Sequence, residues 1–204
     1  MYTFLDFETT GLDYLNEQVI EIGAIKLNGD YEEIGRLHTM VQLTEGRELS
    51  QFITDLTGIK EEDTYFGVSE VSGLMILKEF IGNTIVVAQH ASFDLSFLSK
   101  AFEPDKFICT RTMSQLLNPY ESASLKALTA RYGVNLEGHH RSMNDVEATI
   151  EVFKIMKEEM DGKGLPVMNA LMQSTERPLN FIPLSAIVIN KDNYIKQLEQ
   201  EQGE

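Results

Sequence analysis

The chain opens on an apolar run, Tyr2-Thr3-Phe4-Leu5, that ends in two carboxylates, Asp6 and Glu8, with Phe7 between them. A buried strand that closes on crowded acid spends folding stability on charge, which is expected where a cation is to be held. Side chains two apart on a strand share a face, so both carboxylates can offer oxygen to one hard divalent cation. Asp-x-Glu arises about once by chance in a chain this acidic. The blander reading is a solvated strand end, and the flanking Phe4, Leu5 and Phe7 count against it.

Two further acidic positions follow in chain order. Asp94 comes after Phe93 at the start of an expected helix, where an acid by itself merely complements the helix dipole. His140 stands five residues before Asp145, a spacing expected by chance in only about one chain in five of this composition. Asp145 begins a long amphipathic helix, and His140 lies in the loop before it, able to reach over a substrate. His139 is the rival base; its alternative is a solvated loop side chain. Between the first two clusters, Thr9-Thr10-Gly11-Leu12 reads as a tight turn. Its glycine permits a positive φ or a close approach, leaving either a plain turn or main-chain N–H groups facing a nucleotide.

The net charge of −15 argues against clamping duplex nucleic acid with a broad basic face. It does not exclude nucleic acid as a substrate, because bound cations would reverse the local field at a carboxylate cluster. The single cysteine, Cys109, allows no internal disulfide and reads as a small core residue. No apolar run reaches membrane-spanning length, and the N-terminus lacks the layout of a signal peptide. A cytoplasmic, membrane-free setting is expected.

Strands are expected over Tyr2–Phe7, Val19–Leu27, Ile34–Leu43, Thr84–Ala88 and Phe107–Cys109, the first three as an antiparallel meander turned at Asn28-Gly29-Asp30. Helices are expected over Phe52–Gly58, Val71–Ile81, Phe93–Phe102, Ser124–Tyr132 and Asn144–Met160, with another over Leu165–Met172. Ser185–Ile189 is β-branched and apolar, and Asn193–Gln202 reads as a polar helix or frayed tail. Strands first, then strands alternating with helices, predict an α/β fold: a mixed sheet flanked by helices. The glycine-flanked stretch at 161–164 divides residues 1–163 from a C-terminal extension, 164–204, that either packs on the domain or binds a partner.

Three segments resemble the DEDDh group of 3′–5′ exonucleases, relatives of the proofreading epsilon subunit of bacterial DNA polymerase III. They are Leu5-Asp6-Phe7-Glu8-Thr9-Thr10-Gly11-Leu12, Ala91-Ser92-Phe93-Asp94 with Phe97-Leu98, and His140-Arg141-Ser142-Met143-Asn144-Asp145 with Ala148-Thr149. Ile53–Ile59 and Cys109–Thr112 are similar to connecting segments of many members. The likeness covers about residues 1–160. One departure stands out: the second motif usually opens His-Asn-Ala, and this chain has Gln89-His90-Ala91.

The resemblance implies an RNase H-like mixed five-stranded sheet, its first three strands antiparallel. It implies that Asp6, Glu8, Asp94 and Asp145 gather around two Mg²⁺ or Mn²⁺ ions, with His140 as general base. Thr9, Thr10, Gly11, Leu12, His90, Phe93 and Arg141 are the candidate contacts to the 3′-terminal nucleotide, and Arg111 and Lys126 are further cations placed to meet phosphate. The expected activity is metal-dependent release of nucleoside 5′-monophosphates from a nucleic-acid 3′ end. DNA is favoured, single-stranded or frayed, in proofreading or repair with a DNA polymerase as possible partner. The alternatives are an RNA-directed member of the family and a polymerase-binding module of weak activity.

Overall fold

A computed structural model describes residues 1–202 apart from 166, 176 and 177. Three strands lead, β1 (Tyr2–Thr9), β2 (Val19–Leu27) and β3 (Glu33–Met40). Three helices follow, α1 (Gln51–Thr57), α2 (Glu61–Thr64) and α3 (Glu70–Ile81). Then come β4 (Ile85–Ala88), α4 (Ala91–Leu98), β5 (Phe107–Cys109), α5 (Thr110–Leu117), α6 (Leu125–Tyr132) and α7 (Ser142–Lys163). Beyond α7 lie β6 (Ala170–Gln173), β7 (Ile187–Asn190) and α8 (Lys191–Gln202).

The main sheet runs β3-β2-β1-β4-β5, with β1, β2 and β3 antiparallel and β1, β4 and β5 parallel. This is the mixed five-stranded sheet expected from the element order. The central strand β1 is covered on both faces, and its alternation decides what each face receives. Leu5 and Phe7 enter the cluster built with Leu74, Leu77, Leu95 and Phe97 of α3 and α4. Phe4 enters the opposite cluster with Val146, Phe153 and Met156 of α7. Asp6 and Glu8 share the parity of Phe4, so they continue its row toward α7.

Helix α7 buries Val146, Ile150, Phe153, Met156 and Met160, a stripe at helical spacing. Its N-terminus comes close to the sheet because β2 has glycine there: a Cβ on Gly23 would lie 2.8 Å from the Ser142 carbonyl carbon. Gly23 is the register partner of Asp6, so this near approach sets α7 over the acidic end of β1.

Several boundaries differ from expectation. Strand β3 stops at Met40, and Val41 continues only as a single bridge to Val68. Helix α4 starts two residues earlier than expected and ends at Leu98; α2 and α5 were not anticipated. The expected helix over Leu165–Met172 instead contains β6. Asn169 adopts φ +57 and is fastened to β5, its N–H donating to Phe107 O at 2.8 Å and its Oδ1 accepting from Phe107 N at 2.8 Å. Ala170, Leu171 and Met172 are then buried, with β7 pairing in parallel alongside. Local apolarity does not tell a short buried strand from a helix, and here the distant partner decided. No helix among the described residues is long and apolar enough to cross a membrane.

Candidate active site

The end of β1, the first turn of α4 and the first turn of α7 meet in one cleft of about 1,080 Å³. Asp6 and Glu8 come from β1 and Asp145 from the fourth position of α7, and their ligand oxygens lie within 4.8 Å of one another. Asp94 is 2% exposed at the fourth position of α4, and its Oδ1 has no hydrogen-bond partner. Charge in the first turn of a helix is favoured by the dipole, yet four carboxylates in one place repel.

Burial first and that repulsion second push the carboxyl pKa values upward. Burial pushes Glu8 up to about 8, the charges of Asp145, Glu21 and Asp94 adding to it and Arg141 opposing. Burial likewise pushes Asp94 up to about 7, against main-chain hydrogen bonds at its own residue, Phe7 and His90. Asp6 is raised well above the ordinary carboxylate range by burial first, then by Asp94, Glu8 and Asp145. A set of hard oxygen donors, mutually repelling and with one buried oxygen unpartnered, fits a divalent cation site.

His139 and His140 stack at the rim, ring centroids 3.8 Å apart. His139 is not a solvated loop side chain: its Nδ1 lies 2.9 Å from both oxygens of Asp145. His140 takes φ +66, and its main-chain N–H donates to Asp145 Oδ2 at 3.3 Å. Burial lowers the His140 pKa, His139 lowers it further, and Asp145 acts in the other direction. Burial and the second imidazole thus outweigh the neighbouring carboxylate.

The remaining sequence candidates divide. Thr9, Thr10, Gly11, Leu12, His90 and Phe93 all line the cleft, as do Arg111 and Lys126. Leu12 is 75% exposed and so available to a base. The Thr10 N–H is already donated to Gln18 O at 2.9 Å, which removes one of the main-chain donors expected to face a nucleotide. Gly11 serves close approach rather than a positive φ, since a Cβ would lie 2.9 Å from the Glu17 side chain. Arg141 is turned instead toward Glu21, donating Nε at 3.1 Å and Nη2 at 2.6 Å to Oε1.

Glu21 escaped the sequence reading. It is 1% exposed in β2, directly across from Glu8, and also accepts from Ser142 N at 2.9 Å, while His38 Nε2 lies 2.9 Å away. Arg141, at the N-cap of α7, makes no side-chain capping bond, so the Glu21 carboxylate takes an orphan N–H of that helix in its place. The available signal was one acid inside Val19-Ile20-Glu21-Ile22-Gly23-Ala24, an otherwise apolar strand.

Comparison with known proteins agrees with this architecture. The exonuclease family model RNase_T matches residues 3–153. The "DNA polymerase III PolC-type" of Latilactobacillus sakei is 33% identical over 179 residues, 83% of this chain. The chain spans only 12% of that relative's length. Among solved structures, E. coli Exonuclease I in complex with a dT13 oligonucleotide superposes with a TM-score of 0.68 at 16% identity, covering 80% of this chain and 42% of that one. Exonuclease X in complex with 5′ overhanging duplex DNA gives a TM-score of 0.63 at 22% identity, covering 82% of this chain and 95% of that one. At those identities the two structures speak for the fold alone.

Proposed function

Since the chain belongs to this exonuclease family, the DEDD-type 3′–5′ hydrolases of the RNase H-like superfamily, we propose that it trims DNA from the 3′ end and releases nucleoside 5′-monophosphates. The family is divalent-metal dependent. The observation that carries the reading is the convergence of Asp6, Glu8 and Asp145, with Asp94 near enough for its charge to act on Asp6 and its Oδ1 buried and unpartnered. DNA is favoured because the relatives are DNA polymerases and the structural neighbours are described in complex with DNA.

In this reading the four carboxylates hold two Mg²⁺ or Mn²⁺ ions. When bound, such ions neutralise charge on the phosphodiester and on the entering and leaving oxygens of an in-line displacement. The chain's own residues do the rest. His140, with its pKa held down, is neutral near pH 7 and takes a proton from the attacking water at an imidazole nitrogen. His139 orients Asp145 through its Nδ1 and supports the His140 ring by stacking. Leu12 and Phe93 pack the terminal base, a contact that tolerates any sequence. Arg111 and Lys126 meet phosphate where the strand enters the cleft. The balance is one water and one phosphodiester giving a 5′-phosphate and a new 3′-hydroxyl. Replication proofreading or repair, alongside a polymerase, is the proposed setting.

The experiment is digestion of labelled single-stranded, duplex, mismatched and RNA oligonucleotides by purified protein with and without Mg²⁺ or Mn²⁺. Stepwise 3′ shortening of DNA that needs the cation and vanishes in Asp6→Ala is expected. No digestion by the wild type would reject the reading, and faster digestion of RNA would reject the choice of DNA. His140→Ala should lower kcat by about 10²–10⁴; near-normal turnover would remove His140 from the base role.

A further inference from the structure

The cleft has a wall that the family match does not reach. Pro178 and Asn180 line it beside Asp6, Glu8, Phe93 and His140, although the family model ends at residue 153. Residues 178–183 alternate strictly between solvent and protein: Pro178, Asn180 and Ile182 are exposed, while Leu179 and Phe181 are half-buried and Pro183 is buried. That alternation sets Leu179, Phe181 and Pro183 against the body of the molecule and leaves Pro178, Asn180 and Ile182 facing out, with a bend at Asn180.

The inner face is fastened to the two segments that frame the terminal base. Ser92, 1% exposed and next to Phe93, donates its Oγ to Phe181 O at 2.6 Å and accepts from Phe181 N at 3.3 Å. The Phe181 ring packs edge-on against Tyr14, three residues beyond Gly11, with centroids 5.6 Å apart. Further along, Leu184 N donates to Glu103 Oε2 at 3.0 Å. The segment is thus stitched to the turn carrying Leu12 and to the helix start carrying Phe93, and of its three exposed residues Pro178 and Asn180 line the cleft.

We infer that residues 178–181 form a substrate-binding strap, with Asn180 supplying a carboxamide to the terminal nucleotides of a single strand and Pro178 an apolar surface beside it. The inference rests on the nuclease reading and extends it to residues beyond the family domain. A carboxamide both donates and accepts, so it serves any base edge or sugar oxygen, as a sequence-tolerant cleft requires. Ser92 is a positioning residue in this arrangement: it sets the strap's distance from Phe93.

The test measures binding separately from turnover. Asp6→Ala protein, unable to digest its ligand in this reading, is titrated with a fluorescent single-stranded DNA oligonucleotide by polarisation. Asn180→Ala, Asn180→Gln and Ser92→Ala are compared in that background, and kcat and KM are measured for the same changes in the wild type. Asn180→Ala is expected to weaken binding about 3- to 10-fold, the range for one lost hydrogen bond. KM should rise in step, kcat should stay within twofold, and Asn180→Gln should recover part of the loss. Asn180 is exposed, so its variants should keep the parent melting temperature. Asn180→Ala binding within twofold of the parent overturns the strap, whatever Ser92→Ala does. Should wild-type protein digest no oligonucleotide, the nuclease reading falls first; digestion with an indifferent Asn180→Ala removes the strap alone.

Discussion

Glu8 and Glu21 face each other across one rung of the β1–β2 ladder, and both are buried. Their chemistry is opposite. Glu8 lies among other carboxylates and is pushed up to about 8. At Glu21 burial also presses upward, but hydrogen bonds from Arg141, His38 and the Ser142 N–H outweigh it and hold the carboxyl below the usual range. Two glutamates a strand apart therefore do different work. Glu21 is a satisfied anchor that ties the start of α7 to the sheet; Glu8 is an acid whose charge lacks compensation from the protein. Uncompensated buried charge costs stability, and a chain retains it where a ligand supplies the missing opposite charge.

Four measurements bear on that contrast. The largest effect is expected from Glu8→Gln, which keeps the shape and removes the charge. Activity should fall by about 10³-fold, the scale of several kcal/mol of lost charge stabilisation, while the cation-free protein melts higher than wild type. A cation-free variant that melts lower would mean that Glu8 is an anchor too.

Next is the pH dependence without cations. Folded-state pKa values above the unfolded ones mean that stability is full below pH 4.5 for Glu8 and is lost as pH rises toward about 8. Asp94 adds a similar loss between 3.8 and about 7. The melting temperature should drop steadily over this window, by about 2–4 °C for each kcal/mol lost in a domain of this size. Added Mg²⁺ or Mn²⁺ should restore it, more so at pH 8 than at pH 5. A flat cation-free profile would show that the acids are not crowded.

Glu21→Gln should act on stability in the opposite sense to Glu8→Gln, costing about 1–3 kcal/mol at neutral pH because three donors lose a charged acceptor. Chemical denaturation measures it, and any loss of activity should follow looser placement of Asp145. A variant as stable as wild type would dissolve the contrast. The smallest expected effect belongs to His38→Gln, about 0.5 kcal/mol, because His38 is 42% exposed and its contact is partly solvated. A loss as large as that of Glu21→Gln would make His38, rather than Arg141, the principal partner.

The candidate carboxylates were picked out by their place in local elements together with the resemblance to the exonuclease family. Asp6, Glu8, Asp94 and Asp145 each occupy a strand end or first helical turn defined by its own apolar neighbours, and those neighbours are adjacent in sequence. The antiparallel meander and the mixed sheet were legible for the same reason, because successive strands with short turns leave few arrangements. Tertiary structure adds most where a residue's partner lies far along the chain. Arg141 adjoins the proposed base and was weighed as a phosphate contact, but its acceptor stands 120 residues earlier. His139 is a different case: its partner Asp145 is only six residues on, beside a left-handed turn at His140 that residue types do not signal.

The sequence by itself determined which residues are acidic, in what order they come, and which local element carries each one. Periods of two and 3.6 are properties of neighbouring residues, and they were enough to predict an α/β sheet; the carboxylate site was implied by the resemblance to the exonuclease family. Only the tertiary structure decided which buried glutamate is satisfied and which is not, that Ala170–Gln173 is strand, and that Pro178 and Asn180 border the cleft. Each of those outcomes depends on a contact between residues remote in the chain, where burial and hydrogen-bond partners arise from packing and leave no local pattern behind.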